Sequence, residues 1–384
     1  MAGKKGARRA IPNKIVNLLW AISAGRCQMC NTVLYQDLLT KKQVNSAYIA
    51  HIVDVNHQTH RYDKDLSPKL ETDISNLMLL CDTHHRLIDN EGEKDYTVER
   101  LQKIKREHEE RIQKLTEITS DKQSFIIEYS LSIGEQQFQT SYQEIKNAVV
   151  FDGLYPAEDT PIILSCSEAE LKDSEEDFWN FHSKNLIKKY SRRVNEKVES
   201  GELMQASVFA VAQQPLLILL GVLLGDVKTI TVYPKNREGI SWGWRSKQKN
   251  NDFKLVPSDK KNTKSIALKI AISANIRNER IESILGKDCA IWEITIPECS
   301  NDYLKSKYQA KYFREIAKKA LHDIKDTYGE DISIHVFPAM PVALAVEFGR
   351  IRMPKADLPL ILYDQNRDRK GFIKAISIPD CLLK

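Results

Sequence analysis

Residues 207–221 read SVFAVAQQPLLILLG, and residues 333–349 read SIHVFPAMPVALAVEFG. Each begins with an apolar run suited to a buried strand, passes through a short turn containing proline, and continues as an apolar helix that stops at glycine. In both, the proline (Pro215, Pro341) lies eight residues after the serine. Each is followed by another apolar strand, KTITVY at 228–233 and LPLILY at 358–363. Each is preceded by a long amphipathic helix, at about 175–199 and 306–327. Any two strand–helix–strand units share part of this pattern, but its recurrence predicts an α/β layered region made of two similar units in tandem.

The first of these stretches also raises a membrane question. In ASVFAVAQQPLLILLGVLLGD, 206–226, the apolar runs are broken by Gln213, Gln214 and Pro215. Neither piece approaches the ~20 residues a span needs, so a strand, a turn and a buried helix are expected instead. The whole chain has 384 residues, 42% hydrophobic and 28% charged, a soluble profile with room for two or three domains. Its net charge of +5 permits nucleic acid as a partner without arguing for it. The opening MAGKKGARR is basic and reads equally as a solubilising tail or a phosphate-contacting arm. No apolar run follows it, so no secretory signal is expected. The seven cysteines form no disulfide framework, which points to a reducing cytoplasm and no membrane attachment.

Upstream, PNKIVNLLWAISA at 12–24 reads as a helix, VNSAYIA at 44–50 as a strand, and TVERLQKIKREHEERIQKL at 97–115 as a long charged helix. That helix places Leu101, Ile104, His108, Ile112 and Leu115 on one stripe, where His108 reads as packing. The polar run ITSDKQS, 118–124, reads as a linker. The expected domains are therefore 1–118, a linker at 119–124, and 125–384.

The N-terminal part carries two metal-type pairs. Cys27 and Cys30 lie in RCQMCN, and Cys81 and His84 repeat the same spacing. Two such pairs separated by a loop can close a tetrahedral structural zinc site of three thiolates and one imidazole. A redox CxxC would leave the second pair unexplained. A structural zinc would also stabilise a domain with a small core. His85 follows His84 directly and must face another way. His51 ends the strand in AYIAHIVDV, and Asn76 stands in SNLMLLC.

The order CxxC, AHI, NLMLLCxxHH resembles the HNH endonuclease family over roughly residues 26–90. That resemblance implies a ββα-metal fold and metal-dependent hydrolysis of DNA phosphodiesters. It places His51 as general base, His85 as ligand of a catalytic cation such as Mg²⁺, and Asn76 as the residue that orients the base or reaches the cation. Many HNH enzymes carry an acid immediately before the base. Here that residue is Ala50, and Asp54 and Asp89 are the nearby carboxylates. His57 and His60, in VNHQTHRYDKD, read equally as DNA contacts or as solvent-exposed.

In the C-terminal part, ISWGWRSK at 240–247 places Trp242 and Trp244 on one face if it is a strand. Such a pair is as often core as it is a platform for nucleobases. The strand IALKIAIS ends in Ser273, Ala274 and Asn275, before a helix that can favour an anion at its N-terminus. HVFPAMP, with Pro338 and Met340, makes a similar turn. Carboxyl ends of strands are where open α/β sheets bind ligands. Together these segments and the tandem units resemble a SAVED domain, two fused CARF-like (Rossmann-like) α/β units that sense cyclic oligonucleotides. HNH followed by SAVED resembles an effector nuclease of CBASS anti-phage defence. By that resemblance a partner cyclase makes a cyclic dinucleotide, and its binding drives assembly into a tetramer that degrades double-stranded DNA. Two rival readings make other predictions. A restriction-type HNH enzyme reading modified DNA would cut with no nucleotide. A non-catalytic, zinc-stabilised, nucleotide-sensing DNA-binding protein would never cut.

Overall fold

Pro12 has no backbone N–H to leave unsatisfied, and the first helix begins directly after it. The computed structural model describes residues 9–56, 59–91, 95–117, 119–132, 141–166, 171, 175–236, 239, 241–353, 356–366 and 371–378. They fall into two compact units, 1–119 and 120–384.

In the first unit, α1 (Asn13–Ile22) ends at Ser23, and Ala24 and Gly25 then turn the chain with left-handed φ of 53° and 64°. Gly25 is needed twice over, because a Cβ there would also meet the Tyr35 ring at 2.7 Å. Next come β1 (Ala47–His51), α2 (Ser67–Leu70), β2 (Leu77–Cys81), α3 (Asp82–Arg86), a widened turn Leu87–Glu91, and α4 (Val98–Thr116). The Thr97 hydroxyl caps α4 by accepting from the Arg100 N–H. β1 and β2 pair antiparallel, with Ala47 opposite Cys81 and His51 opposite Leu77. This register separates Cys81 and His51 by the hairpin's length, roughly 13 Å at 3.4 Å per residue. Leu19, Leu34, Ile52, Leu77, Leu79, Ile88 and Leu101 fill the core beneath.

The second unit holds two sheets. The first half runs β3 (Gln123–Ser130), α5 (Tyr142–Phe151), β4 (Tyr155–Pro156), β5 (Ile162–Ile163), α6 (Glu176–Tyr190), α7 (Glu196–Glu199), β6 (Gln205–Val211), α8 (Gln214–Leu223) and β7 (Thr229–Val232). The second runs β8 (Lys254–Val256), β9 (Ile266–Ala271), α9 (Asn278–Leu285), β10 (Ala290–Thr295), α10 (Lys307–Tyr328), β11 (Ile334–Ala339), α11 (Val342–Arg350), β12 (Leu360–Asn366) and β13 (Gly371–Ile378). The parallel order β4–β3–β6–β7, with β5 also on β3, repeats as β10–β9–β11–β12. Antiparallel β8 and β13 close the edges of the second sheet. The tandem α/β expectation thus matches the topology. The expected linker is shorter than its sequence implied. Ser120–Lys122 already form a helical turn, and β3 starts at Gln123.

α8 is apolar all round because it is enclosed all round. It packs against α6, α11 and the second half's β12 and β13, while α11 reaches the first half's β6 and β7. One core therefore spans both halves. At the crossing, a Cβ on Gly221 would collide with the Val346 carbonyl oxygen, and one on Gly349 with that of Ile218. The reciprocity is that of a local two-fold, and Gly221 with Gly349 defines an offset of 128 residues. The proline match implied 126, and the structure corrects it. Pro215 is the second residue of α8, whereas Pro341 precedes α11. Proline is tolerated at both positions, so it does not fix register. Among the described residues, no helix is long and apolar enough to cross a membrane.

Candidate functional site

The four metal-type residues converge in the first unit. The turn carrying Cys27 and Cys30 is closed by Cys27 N–H on the Thr32 carbonyl (2.9 Å) and Asn31 N–H on the Cys27 carbonyl (2.8 Å), with Asn31 left-handed at φ 64°. Cys81 ends β2, and α3 then carries His84 back over it. The ligand atoms lie within 4.8 Å of one another. His84 Nδ1 is 3.2 Å from Cys81 Sγ and 3.7 Å from Cys27 Sγ, and Cys30 and Cys81 sulfurs are 3.9 Å apart. Zinc bonds of about 2.3 Å to sulfur and 2.0 Å to nitrogen at tetrahedral angles set such atoms roughly 3.5–3.8 Å apart. The donor set fits zinc. Burial pushes the Cys27 thiol up to about 11, so a cation is what would hold it as thiolate near neutral pH.

At the other end of the hairpin stands His51, 4% exposed. Its Nε2 is 2.9 Å from the Glu71 carbonyl, which can only accept. In the neutral ring the proton therefore sits on Nε2, which donates to that carbonyl. Asn76 clamps the chain just beyond it. Its Nδ2 donates to the Val53 carbonyl (2.9 Å) and the Leu70 carbonyl (3.2 Å), and its Oδ1 accepts from Val53 N–H at 2.7 Å. His85 is half-buried, tilted against Tyr48 with ring centroids 5.0 Å apart, and its Nε2 is 3.5 Å from Asp89 Oδ2. Asp89 Oδ1 accepts from Arg61 Nη2 at 2.8 Å. Arg61 is a residue the sequence did not single out, and its side chain is fully buried. It also donates to the His51 carbonyl (3.4 Å) and lies 3.7 Å from Asp54 Oδ2. His60 is exposed, and His57 lies outside the described residues. His108 is buried on α4, with its Nε2 3.2 Å from the Ser23 carbonyl, which matches the packing expected of it.

In the second unit the tryptophan pair is not an exposed platform. Among the described residues of this stretch, Trp242 bridges Lys235, and Gly243 (φ 119°) turns the chain between the indoles. Trp242 is 1% exposed, edge-on to Phe209 in the cluster with Tyr233 and Val149. Trp244 packs, half-buried, against the other core. Ser273 is half-buried and Ala274 and Asn275 are exposed, whereas Pro338 and Met340 are buried. The Ile272 and Ser273 N–H groups both donate to the Ala339 carbonyl, at 2.9 and 2.7 Å, stitching the ends of β9 and β11 together. Gln214, from α8, clasps the Met340 backbone through both its amide atoms. Beneath the loop after β9, the buried Lys269 ammonium meets Glu293 (3.0 Å), Asn278 Oδ1 (2.9 Å) and the Ile276 carbonyl (3.3 Å). A lone lysine inside IALKIA was the only sequence signal for that pin. Two cavities of about 510 and 560 Å³ open elsewhere, one around Arg192 and Lys197, the other around Phe181 and Lys188.

Residues 186–378, just over half of the chain, match the family model for SAVED, the "SMODS-associated and fused to various effectors sensor domain". The chain belongs to the SAVED family. The SAVED match takes in the seven residues expected to touch a nucleotide and does not extend into the first unit. No curated protein matches the chain. Among solved structures, it is similar to the Acinetobacter baumannii Cap4 SAVED/CARF-domain containing receptor with the cyclic trinucleotide 2'3'3'-cAAA (13% identity, TM-score 0.46, 67% of this chain and 52% of that chain). It is similar also to that receptor with 3'3'3'-cAAA (14%, 0.46, 66% and 52%) and to the Moraxella osloensis Cap4 receptor (14%, 0.38, 66% and 50%). The SAVED chain described here spans about half the length of these structures.

Proposed function

We propose that this chain is a nucleotide-gated DNA endonuclease. A cyclic oligonucleotide, of the di- or trinucleotide class and made by a partner cyclase, binds the SAVED domain and drives assembly into a homo-oligomer, a tetramer in the fullest form. The assembled first units then cut double-stranded DNA, as an effector of CBASS anti-phage defence. The observation that carries this reading is a SAVED sensor in the same chain as a unit that holds both a Cys₃His knuckle and the set His51, Asn76 and His85.

Within the first unit, the Nδ1 lone pair of His51 takes a proton from water. The oxygen so activated attacks phosphorus, and the bond to the 3′ oxygen breaks. The Glu71 carbonyl holds the tautomer that leaves Nδ1 basic. Asn76 keeps His51 in place by gripping Val53. A divalent cation held at His85 would neutralise charge on the phosphate and the leaving oxygen. One such centre cuts one strand, so joining two centres favours a duplex break. A ligand that binds the assembled form more tightly shifts the population by that difference.

The test is plasmid cutting with Mg²⁺, with and without a panel of cyclic di- and trinucleotides, beside His51→Ala. Cutting with one nucleotide only, and lost in the variant, is the expected result. Cutting that ignores every nucleotide would refute the gating and favour a restriction-type enzyme. Nucleotide and DNA binding without cutting would favour the non-catalytic regulator.

A further inference from the structure

The acid expected immediately before His51 is absent, and the structure places a carboxylate nearby from a different element. Tyr48 and Ala50 lie on one face of β1 by two-residue alternation. Tyr48 rests against His85, so this face looks toward α3. One helical turn beyond His85 stands Asp89. We propose that Asp89 is the protein's carboxylate ligand for the catalytic divalent cation, paired with His85 and standing in for the residue missing at position 50. The inference rests on the nuclease reading of the first unit.

Three observations carry it. His85 Nε2 and Asp89 Oδ2 are 3.5 Å apart, long for a hydrogen bond. Two ligands at right angles on a cation, each about 2.1 Å away, lie about 3 Å apart, so a small adjustment lets both reach one ion. Both side chains are about one-third exposed, open to an ion and a phosphate. Magnesium sites commonly take one or two carboxylates from the protein and leave the remaining positions to phosphate oxygens and water, so a site with one protein carboxylate is within the usual range.

The third observation is Arg61. Its buried guanidinium takes Asp89 Oδ1, leaves Oδ2 toward His85, and donates to the His51 carbonyl. One residue thereby fixes the distance between the cation's carboxylate and the general base. The same guanidinium faces Asp54 as well. One cation against two carboxylates leaves a negative charge unspent, which suits a site that must attract a divalent ion.

The test uses the full chain with its zinc bound and Mn²⁺ as probe, read by electron paramagnetic resonance. Wild type should bind one Mn²⁺. Asp89→Asn should weaken it by about 10-fold or more, the scale on which lost ligand-shell partners act. Asp89→Glu should recover part of the affinity. Asp54→Asn removes the same charge from the same guanidinium and should change affinity by less than about 3-fold, because a nearby charge without ligation acts weakly in water. Unchanged Mn²⁺ binding in Asp89→Asn would overturn the assignment while leaving the nuclease reading intact. Equal weakening in Asp54→Asn would overturn it in favour of general electrostatics. If Asp89→Asn loses its zinc or its fold, Asp89→Glu decides. Affinity lowered in a native fold supports ligation, and affinity unchanged from wild type overturns it. Wild type that neither binds Mn²⁺ nor cuts DNA would remove the nuclease reading and this inference together.

Discussion

His84 and His85 are neighbours that face different partners because α3 turns about 100° per residue. His84 points Nδ1 at the thiols, and His85 points its ring at Tyr48 and Asp89. That division was legible from the spacing alone. Arg61 was not, because its value comes from three partners scattered between residues 51 and 89. Trp242 was illegible for a related reason. Its sequence neighbours are polar and basic, yet its actual neighbours are Phe209, Tyr233 and Val149 from distant elements. Trp242→Ala should therefore cost the second unit about 3–5 kcal/mol, as large-to-small changes of core aromatics do. Urea unfolding without nucleotide measures it. Unchanged stability with lost nucleotide binding would restore the indole to a ligand-contacting role.

At the scale of elements, helix and strand positions were readable from periodicity, and the exact pairing of the two halves was not. Proline is permitted at several places around a helix start, so Pro215 and Pro341 marked the turns without aligning them. The glycines align them because α8 and α11 touch there backbone to backbone. Gly221→Ala and Gly349→Ala should each destabilise by at least ~2 kcal/mol, since the added carbon meets a carbonyl rather than a yielding side chain. The double variant should cost clearly less than the sum, because helices already pushed apart by one methyl make room for the second. A double-mutant cycle in denaturant checks this, and strict additivity would show that the helices do not move as a pair.

At the scale of the molecule, the two units share a sensitivity to acid. His108 in the first unit, and His182 and His335 in the second, are all held below the ordinary imidazole range, chiefly by burial. Unfolded, each binds a proton more readily than when folded. Their contribution is therefore complete above the ordinary pKa of about 6.5 and is lost as pH falls from there through the lower folded values. Tyr363 shows the arrangement at His335. Its hydroxyl is 2.9 Å from Nδ1, and the ring is otherwise desolvated by the strands around it. Urea midpoints for both units should fall between pH 7 and pH 5, and flat midpoints would mean that the three rings charge at no cost.

The glycine crossing also limits how the sensor domain can move. Two helices already in backbone contact cannot come closer. Sliding either one along the other would bring a residue with a Cβ against the opposing carbonyl. Separating them would open the single core that both halves share. Gly221 and Gly349 thus pin the two halves together at one point, with each helix seated on the other half's sheet.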